Sequence, residues 1–180
     1  GFLLLLQLAA AGIDTQIHAD GDGATRYALD GFEAMREQFP GERIRAAIAH
    51  VEIVDPADFP RFGRLDVIPV PSFQWAKPAA DTIEGARDYL GPARFKYMEP
   101  LGFLHEAGAR VAYGSDWPVD PLTPWNQIAT AVDRIGIAGL PDFGGTGSPL
   151  NPGEAISLAD AITALEGRPA LADHAHALDR

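Results

Sequence analysis

Val111-Ala112-Tyr113-Gly114-Ser115-Asp116-Trp117-Pro118-Val119 is a short apolar run that stops abruptly at Gly-Ser-Asp and turns at Trp-Pro. A buried parallel strand ending this way delivers one carboxylate, Asp116, to the rim of a sheet. Two earlier apolar runs end in the same manner on a histidine, at Ile17-His18 and Ala49-His50. Three strands therefore bring three metal-ligand residue types to one edge, and the rest of the chain reads as their scaffold.

Working outward, Ile13 to His18 has strand character and Ala19-Asp20-Gly21-Asp22-Gly23 is a polar, glycine-rich break. Ala24, Tyr27, Ala28, Phe32, Met35 and Phe39 keep helical spacing until Pro40-Gly41 stops it. Ile44 to His50 is the next strand. Asp55-Pro56 caps a brief helix through Phe62, and Val67 to Val70 is a third strand.

Pro71 to Phe95 is a long irregular region with a helical insert from Asp81 to Leu90, expected to act as a lid. Glu99-Pro100 opens a helix to Ala107, Gly108 ends it, and Arg110 to Ser115 is the fourth strand. A helix from Pro124 to Ile135 and a Gly/Pro-rich loop through Gly153 follow. Ser157-Leu158-Ala159-Asp160 then caps a last helix with Leu158, Ala161, Ile162 and Leu165 on one face. Strand and helix alternate with crossovers long enough for parallel pairing, so the fold class is α/β.

With 180 residues, 47% of them hydrophobic, the chain can bury the core of one ordinary domain. Its net charge of -11 and scattered basic residues argue against nucleic acid or an anionic membrane as partner. The absence of cysteine removes disulfides, thiolate zinc sites, iron-sulfur clusters and cysteine nucleophiles. The apolar opening, Gly1 to Ala11, lacks a basic flank and is too short to span a bilayer. It reads as a buried helix leading into the first strand, and the expected location is the cytoplasm.

Neutral imidazole and carboxylate suit zinc and similar divalent ions. Such an ion acidifies water toward a pKa of about 7, and a nearby carboxylate takes the proton as the water oxygen attacks a carbonyl carbon. Asp116 would serve as both ligand and base.

Arg26 replaces the third glycine that a dinucleotide fingerprint starting at Gly21 needs. A calcium loop starting at Asp20 would require Glu where Gly31 stands. His50-Val51-Glu52 lacks the Pro-Cys-x-x-Cys of zinc deaminases, and Gly144-Gly145-Thr146-Gly147 has no lysine after it.

His18-Ala19-Asp20-Gly21-Asp22, then Ala49-His50-Val51-Glu52, then Gly114-Ser115-Asp116-Trp117-Pro118-Val119 resembles the second half of the amidohydrolase superfamily. The resemblance is to the amidohydrolase 3 group of YtcJ-like metal-dependent hydrolases. It implies a partial (β/α)8 TIM barrel, with residues 1–180 as the C-terminal portion of the barrel domain and strands five to eight present. By that resemblance His18 and His50 hold one metal, most simply zinc. Asp116 holds the other metal and acts as general base, and Asp22 and Glu52 support the ligands by hydrogen bonding.

The family's His-x-His pair and strand-four ligand have no counterpart. His174-Ala175-His176 reads as a solvated helix end and His105 as a surface residue. The implied activity is hydrolysis of an amide-type C-N bond in a small molecule, with Trp75, Trp117 and Phe143 as an aromatic pocket lining. The implied partner is a missing barrel half or a second copy covering an open edge. The alternative is a non-catalytic half-barrel module that binds a ligand or partner.

Overall fold

The computed structural model describes residues 1–139 and 147–167. Phe143, most of the Gly144–Gly147 stretch and the His174/His176 pair lie outside them. Among the described residues no helix is long and apolar enough to cross a membrane.

A three-stranded parallel sheet, β1 (Thr15–Ala19), β2 (Ala46–His50) and β3 (Val67–Val70), runs in that order. Helix α2 (Asp22–Gln38) crosses over between the first two strands and α3 (Phe59–Leu65) between the second and third. The alternation of each strand decides its two faces. Ala19, Ala46, Ile48 and Val67 pack in one core with Ala28, Leu29, Phe32 and Met35 of α2 and with Phe59, Phe62 and Leu65 of α3. On the other face Gln16 and His18 are exposed, and Ala47, Ala49, Ile68 and Val70 are only half-buried. Helices outside and a second face left inward is an arrangement compatible with a partial barrel.

Helix α1 (Phe2–Ala10) corrects the expectation of a buried opening helix. Only Leu5 and Ala9 are buried, while Leu3 and Leu4 are 71% and 59% exposed. Its seat on α2 is Gly31, where a Cβ would come within 3.1 Å of both Leu5 and Phe2. Across α2 and α3 the Arg61 guanidinium donates to Asp30 and Glu33 at 2.7 Å and to Asp58 at 3.0 Å, tying the two helices together.

The fourth strand is not completed. Ala112 N donates to Pro69 O at 3.0 Å and Gly114 N to Pro71 O at 3.2 Å, so the segment lies alongside β3. A parallel ladder needs return bonds from the amides of residues 69 and 71, and both are prolines without an N–H. The apolar pattern placed the segment correctly, and the prolines of its neighbour deny it a full ladder.

The region after β3 also departs from a loose lid. Phe73, Gln74 and Ala76 are fully buried, and Phe73–Trp75 form a 3-10 turn beneath α7 (Pro124–Asp133). Phe73 and Ala76 join Leu101, Ile128, Ala131, Ala161 and Ala164 in a second core. Helices α4 (Ala80–Leu90) and α5 (Pro92–Phe95) lie outside it, and α6 (Leu101–Glu106) carries Leu101 and Leu104 inward.

In α8 (Leu158–Glu166) Ser157 Oγ accepts from Asp160 N at 3.1 Å, as its capping pattern predicts. Leu158 is 57% exposed, because the buried face runs through Ala161 and Ala164 instead.

Glu99 is fully buried between these elements. Burial, reinforced by the nearby Glu52 charge, pushes its carboxyl well above the usual range, against the opposing pull of Arg134 and Lys77. A carboxyl with a raised folded-state pKa contributes most below its unfolded value, and that contribution drains away as pH rises toward the folded value. Glu99→Gln, which matches the protonated form, is therefore expected to melt like the parent protein below about pH 4. Its Tm should exceed the parent's at neutral pH by a gap that widens with pH. Calorimetry across that range checks it, and a gap independent of pH would show that Glu99 does not carry the effect.

Candidate metal centre

The parallel register sets Ala19 opposite His50 and His18 opposite Ala49, so both histidines lie at the carboxyl end of adjacent strands. Their ring centroids are 4.3 Å apart. Asp20, one residue beyond β1, brings a carboxylate oxygen to 3.8 Å from His18 Nε2. His18, Asp20 and His50 each offer one donor atom, all within 4.8 Å of one another.

The two histidines differ in setting. His18 is exposed, whereas His50 is 7% exposed and its Nδ1 is buried without a hydrogen-bond partner. His50 ends β2 with φ 72° and is followed by Val51 at φ 49°. A left-handed backbone at a β-branched residue is costly, so the surrounding structure holds this turn in place. Val51 N donates to Ala19 O at 3.0 Å, which fastens the turn back onto β1. A buried, orphaned ring nitrogen beside a second imidazole and a carboxylate is a donor set that suits a divalent cation.

Trp75 backs His50 with nearly parallel rings, 7° between planes and 5.2 Å between centroids. Its indole N–H donates to Asp120 Oδ2 at 2.7 Å, and Gln74 Nε2 donates to the same oxygen at 3.0 Å and to Ser115 O at 2.9 Å. The loop that carries Asp116 is thereby tied to the aromatic ring behind His50.

Asp116 follows Ser115 with φ 54°, a conformation Asp tolerates better than most residues. Gly114, two residues before it, packs closely on β3, since a Cβ there would come within 3.1 Å of Val70 Cγ1 and that side chain would have to shift. Gln16, His18, His50, Ser72, Gly114 and Asp116 line one open cavity of about 320 Å3. All three residues singled out in the sequence therefore face one cavity, but the tight triad has Asp20, not Asp116, as its carboxylate. Sequence reasoning placed Asp20 in a glycine-rich break; its position two residues after His18 was the available signal.

The supporting role expected of Asp22 is not what its contacts give, and Glu52 is placed elsewhere. Asp22 accepts both its 2.8 Å bonds from Arg94 of α5, and Glu52 lines a different cavity. Trp75 is at the site as expected, but Trp117 is 66% exposed. His105 is at the surface, 3.6 Å from Asp160.

The sequence model described as the amidohydrolase family matches residues 4–175. The protein LONG AFTER FAR-RED 3 of Arabidopsis thaliana is 29% identical over 167 residues, covering 91% of this chain and 27% of that protein. An N-substituted formamide deformylase of Arthrobacter pascens is 27% identical over 171 residues, covering 93% and 29% respectively.

Among crystal structures, an uncharacterized metal-dependent hydrolase of Pyrococcus furiosus superposes with TM-score 0.69 at 23% identity, over 93% of this chain and 31% of that one. A counterpart from Pyrococcus horikoshii OT3 gives TM-score 0.70 at 26% identity, over 92% and 32%. The chain spans less than a third of the length of each of these proteins.

Proposed function

Because this chain belongs to the amidohydrolase family, we propose that it supplies part of the site of a metal-dependent hydrolase that cleaves an amide-type C-N bond in a small molecule. The observation that carries the reading is the paired imidazoles of His18 and His50, with the buried His50 Nδ1 orphaned, facing Asp116 across one cavity. The similarity to an N-substituted formamide deformylase supports a formamide-like substrate.

His18 and His50 would hold a divalent metal, zinc being one of the ions that imidazole and carboxylate donors suit. Asp116 would bind metal and serve as base, and Asp20 completes the donor set beside His18. When bound, such an ion supplies Lewis acidity, polarising a carbonyl and bringing a water's pKa toward about 7. Asp116 takes a water proton on its carboxylate and returns it to the leaving nitrogen, which would otherwise depart as a poor amide anion. Trp75 holds the His50 ring in place through its stack and its bond to Asp120.

The open, half-apolar face of the sheet favours a second element over it, either further polypeptide or a second copy of this chain. That same open face is what favours the alternative reading, a module that binds a ligand without catalysis.

The test is formate release from a panel of N-substituted formamides by the full-length protein, after chelation and after readdition of zinc. Chelation is expected to abolish release and zinc to restore it. His50→Ala is expected to weaken zinc binding by at least about 100-fold, since even residues supporting a ligand cost up to that much. Undiminished metal content in a His18→Ala/His50→Ala double variant would overturn the ligand assignment. Bound zinc without hydrolysis of any amide would favour the binding module.

A further inference from the structure

Trp75 also walls a second cavity, of about 360 Å3, together with Glu52, Lys77, Thr82, Met98 and Glu99. The ring that stacks on His50 is thus shared between the metal centre and a neighbouring pocket. Glu99 is 1% exposed, and its Oε2 is buried without a hydrogen-bond partner. The main chain cannot easily relieve this. Glu99 N donates to Glu52 O at 2.7 Å, Ile53 and Met98 form an antiparallel bridge, and Arg134 Nη1 donates to Glu99 O at 2.9 Å.

A buried carboxyl oxygen left without a partner is costly unless something entering the cavity meets it. Burial raises the carboxyl of Glu99, which favours the proton-bearing form that can donate. The charges acting on Glu99 are the cations Arg134 and Lys77 against the carboxylates Glu52 and Asp20, so neither sign dominates and the pocket suits an uncharged group better than an ion. Trp75 and Met98 provide apolar wall for the atoms that carry it.

We propose that this cavity is a subsite for the substituent on the substrate's nitrogen, in which Glu99 donates a hydrogen bond to an uncharged hydroxyl or carbonyl oxygen on that substituent. The inference rests on the hydrolase reading above, because the shared Trp75 is what places such a substituent next to the histidines.

N-butylformamide and N-(3-hydroxypropyl)formamide have equal numbers of heavy atoms and differ in one oxygen. The zinc-loaded full-length protein is expected to favour the hydroxyl-bearing amide by at least about tenfold in kcat/KM, the discrimination of a site left with an unpaired polar group when that oxygen is missing. Glu99→Gln, which keeps a donor, should retain most of that ratio, and Glu99→Met should bring it near one. An unchanged ratio in Glu99→Met overturns the proposal.

A second measurement needs neither turnover nor a variant. The metal-free parent protein is titrated with each amide while NMR follows the Trp75 indole N–H and the Glu99 carboxyl. The hydroxyl-bearing amide should move both signals, and the butyl amide should leave Glu99 unmoved. Signals that move without hydrolysis of any amide would keep the subsite and sink the hydrolase reading. Hydrolysis with neither signal moving would sink the subsite and keep the hydrolase.

Discussion

Asp116→Asn in the zinc-loaded full-length protein is expected to retain most of its metal and to lose about 10²–10⁴-fold in turnover, the usual worth of a positioned general base. The substitution is isosteric and leaves an amide oxygen where a carboxylate oxygen stood. It removes the ability to accept a proton at neutral pH. It should not disturb the backbone, because Asp116 sits at φ 54° and Asn is among the residues that best tolerate this region. His18, Asp20 and His50 keep their donor atoms within 4.8 Å of one another whatever residue 116 is, so metal retention and lost turnover are separable. Metal analysis beside steady-state kinetics reads both. Normal turnover would remove Asp116 as the base, and loss of metal without its selective effect on turnover would make it chiefly a ligand.

The parts of the molecule legible in the sequence are those set by local chemistry. Val67–Val70 is a strand within the bounds expected of it, because a short apolar run between two helices has few other uses. Ser157 caps α8 because a hydroxyl three residues before an amide is a local device. His18 and His50 share an edge because parallel pairing aligns the strand ends.

What was not legible depends on partners far along the chain. The apolar run before Gly114 looks like any other strand, and only Pro69 in β3 and Pro71 just past its end, some forty residues earlier, show why its ladder stays open. Phe73 to Pro78 has the composition of a loop, yet it is buried because α7 and α8 lie over it. Asp20 escaped notice as a third donor because its neighbours are glycines and acids typical of solvent-exposed breaks. Glu99 gave no sign of burial, since Glu before Pro reads as the start of a helix.

Arg134 is the extreme case of such non-local placement, and its removal carries the largest expected loss of stability. An arginine just past a helix end ordinarily reads as a solvated cation near the C-terminal dipole. This one is fully buried at φ 59°, and its guanidinium donates to Leu150 O at 2.8 Å, Glu99 O at 2.9 Å and Met98 O at 3.4 Å. Leu150 N returns a 2.9 Å bond to Arg134 O. Three chain segments therefore converge on one side chain.

Arg134→Ala would strand those carbonyls in a dry interior and open a void, which places the loss at roughly 3–5 kcal/mol. Arg134→Lys should recover only part of it, because one ammonium cannot span the same fork of acceptors. Arg134→Gly separates side chain from backbone, since glycine relieves the left-handed conformation while leaving the carbonyls equally unpaired.

Urea unfolding of the three variants checks this, and an alanine variant within about 0.5 kcal/mol of the parent, as at a surface site, would overturn it. The loss should also deepen with pH. Arg134 is one of the cations holding down the carboxyl of Glu99, so removing it drives that carboxyl still higher. A higher folded-state value widens the pH range over which the unfolded chain gains by releasing the proton. The gap between Arg134→Ala and the parent is therefore expected to stay level in acid and to grow only once pH passes the parent's own folded-state value for Glu99, while in a Glu99→Gln background it should stay flat throughout.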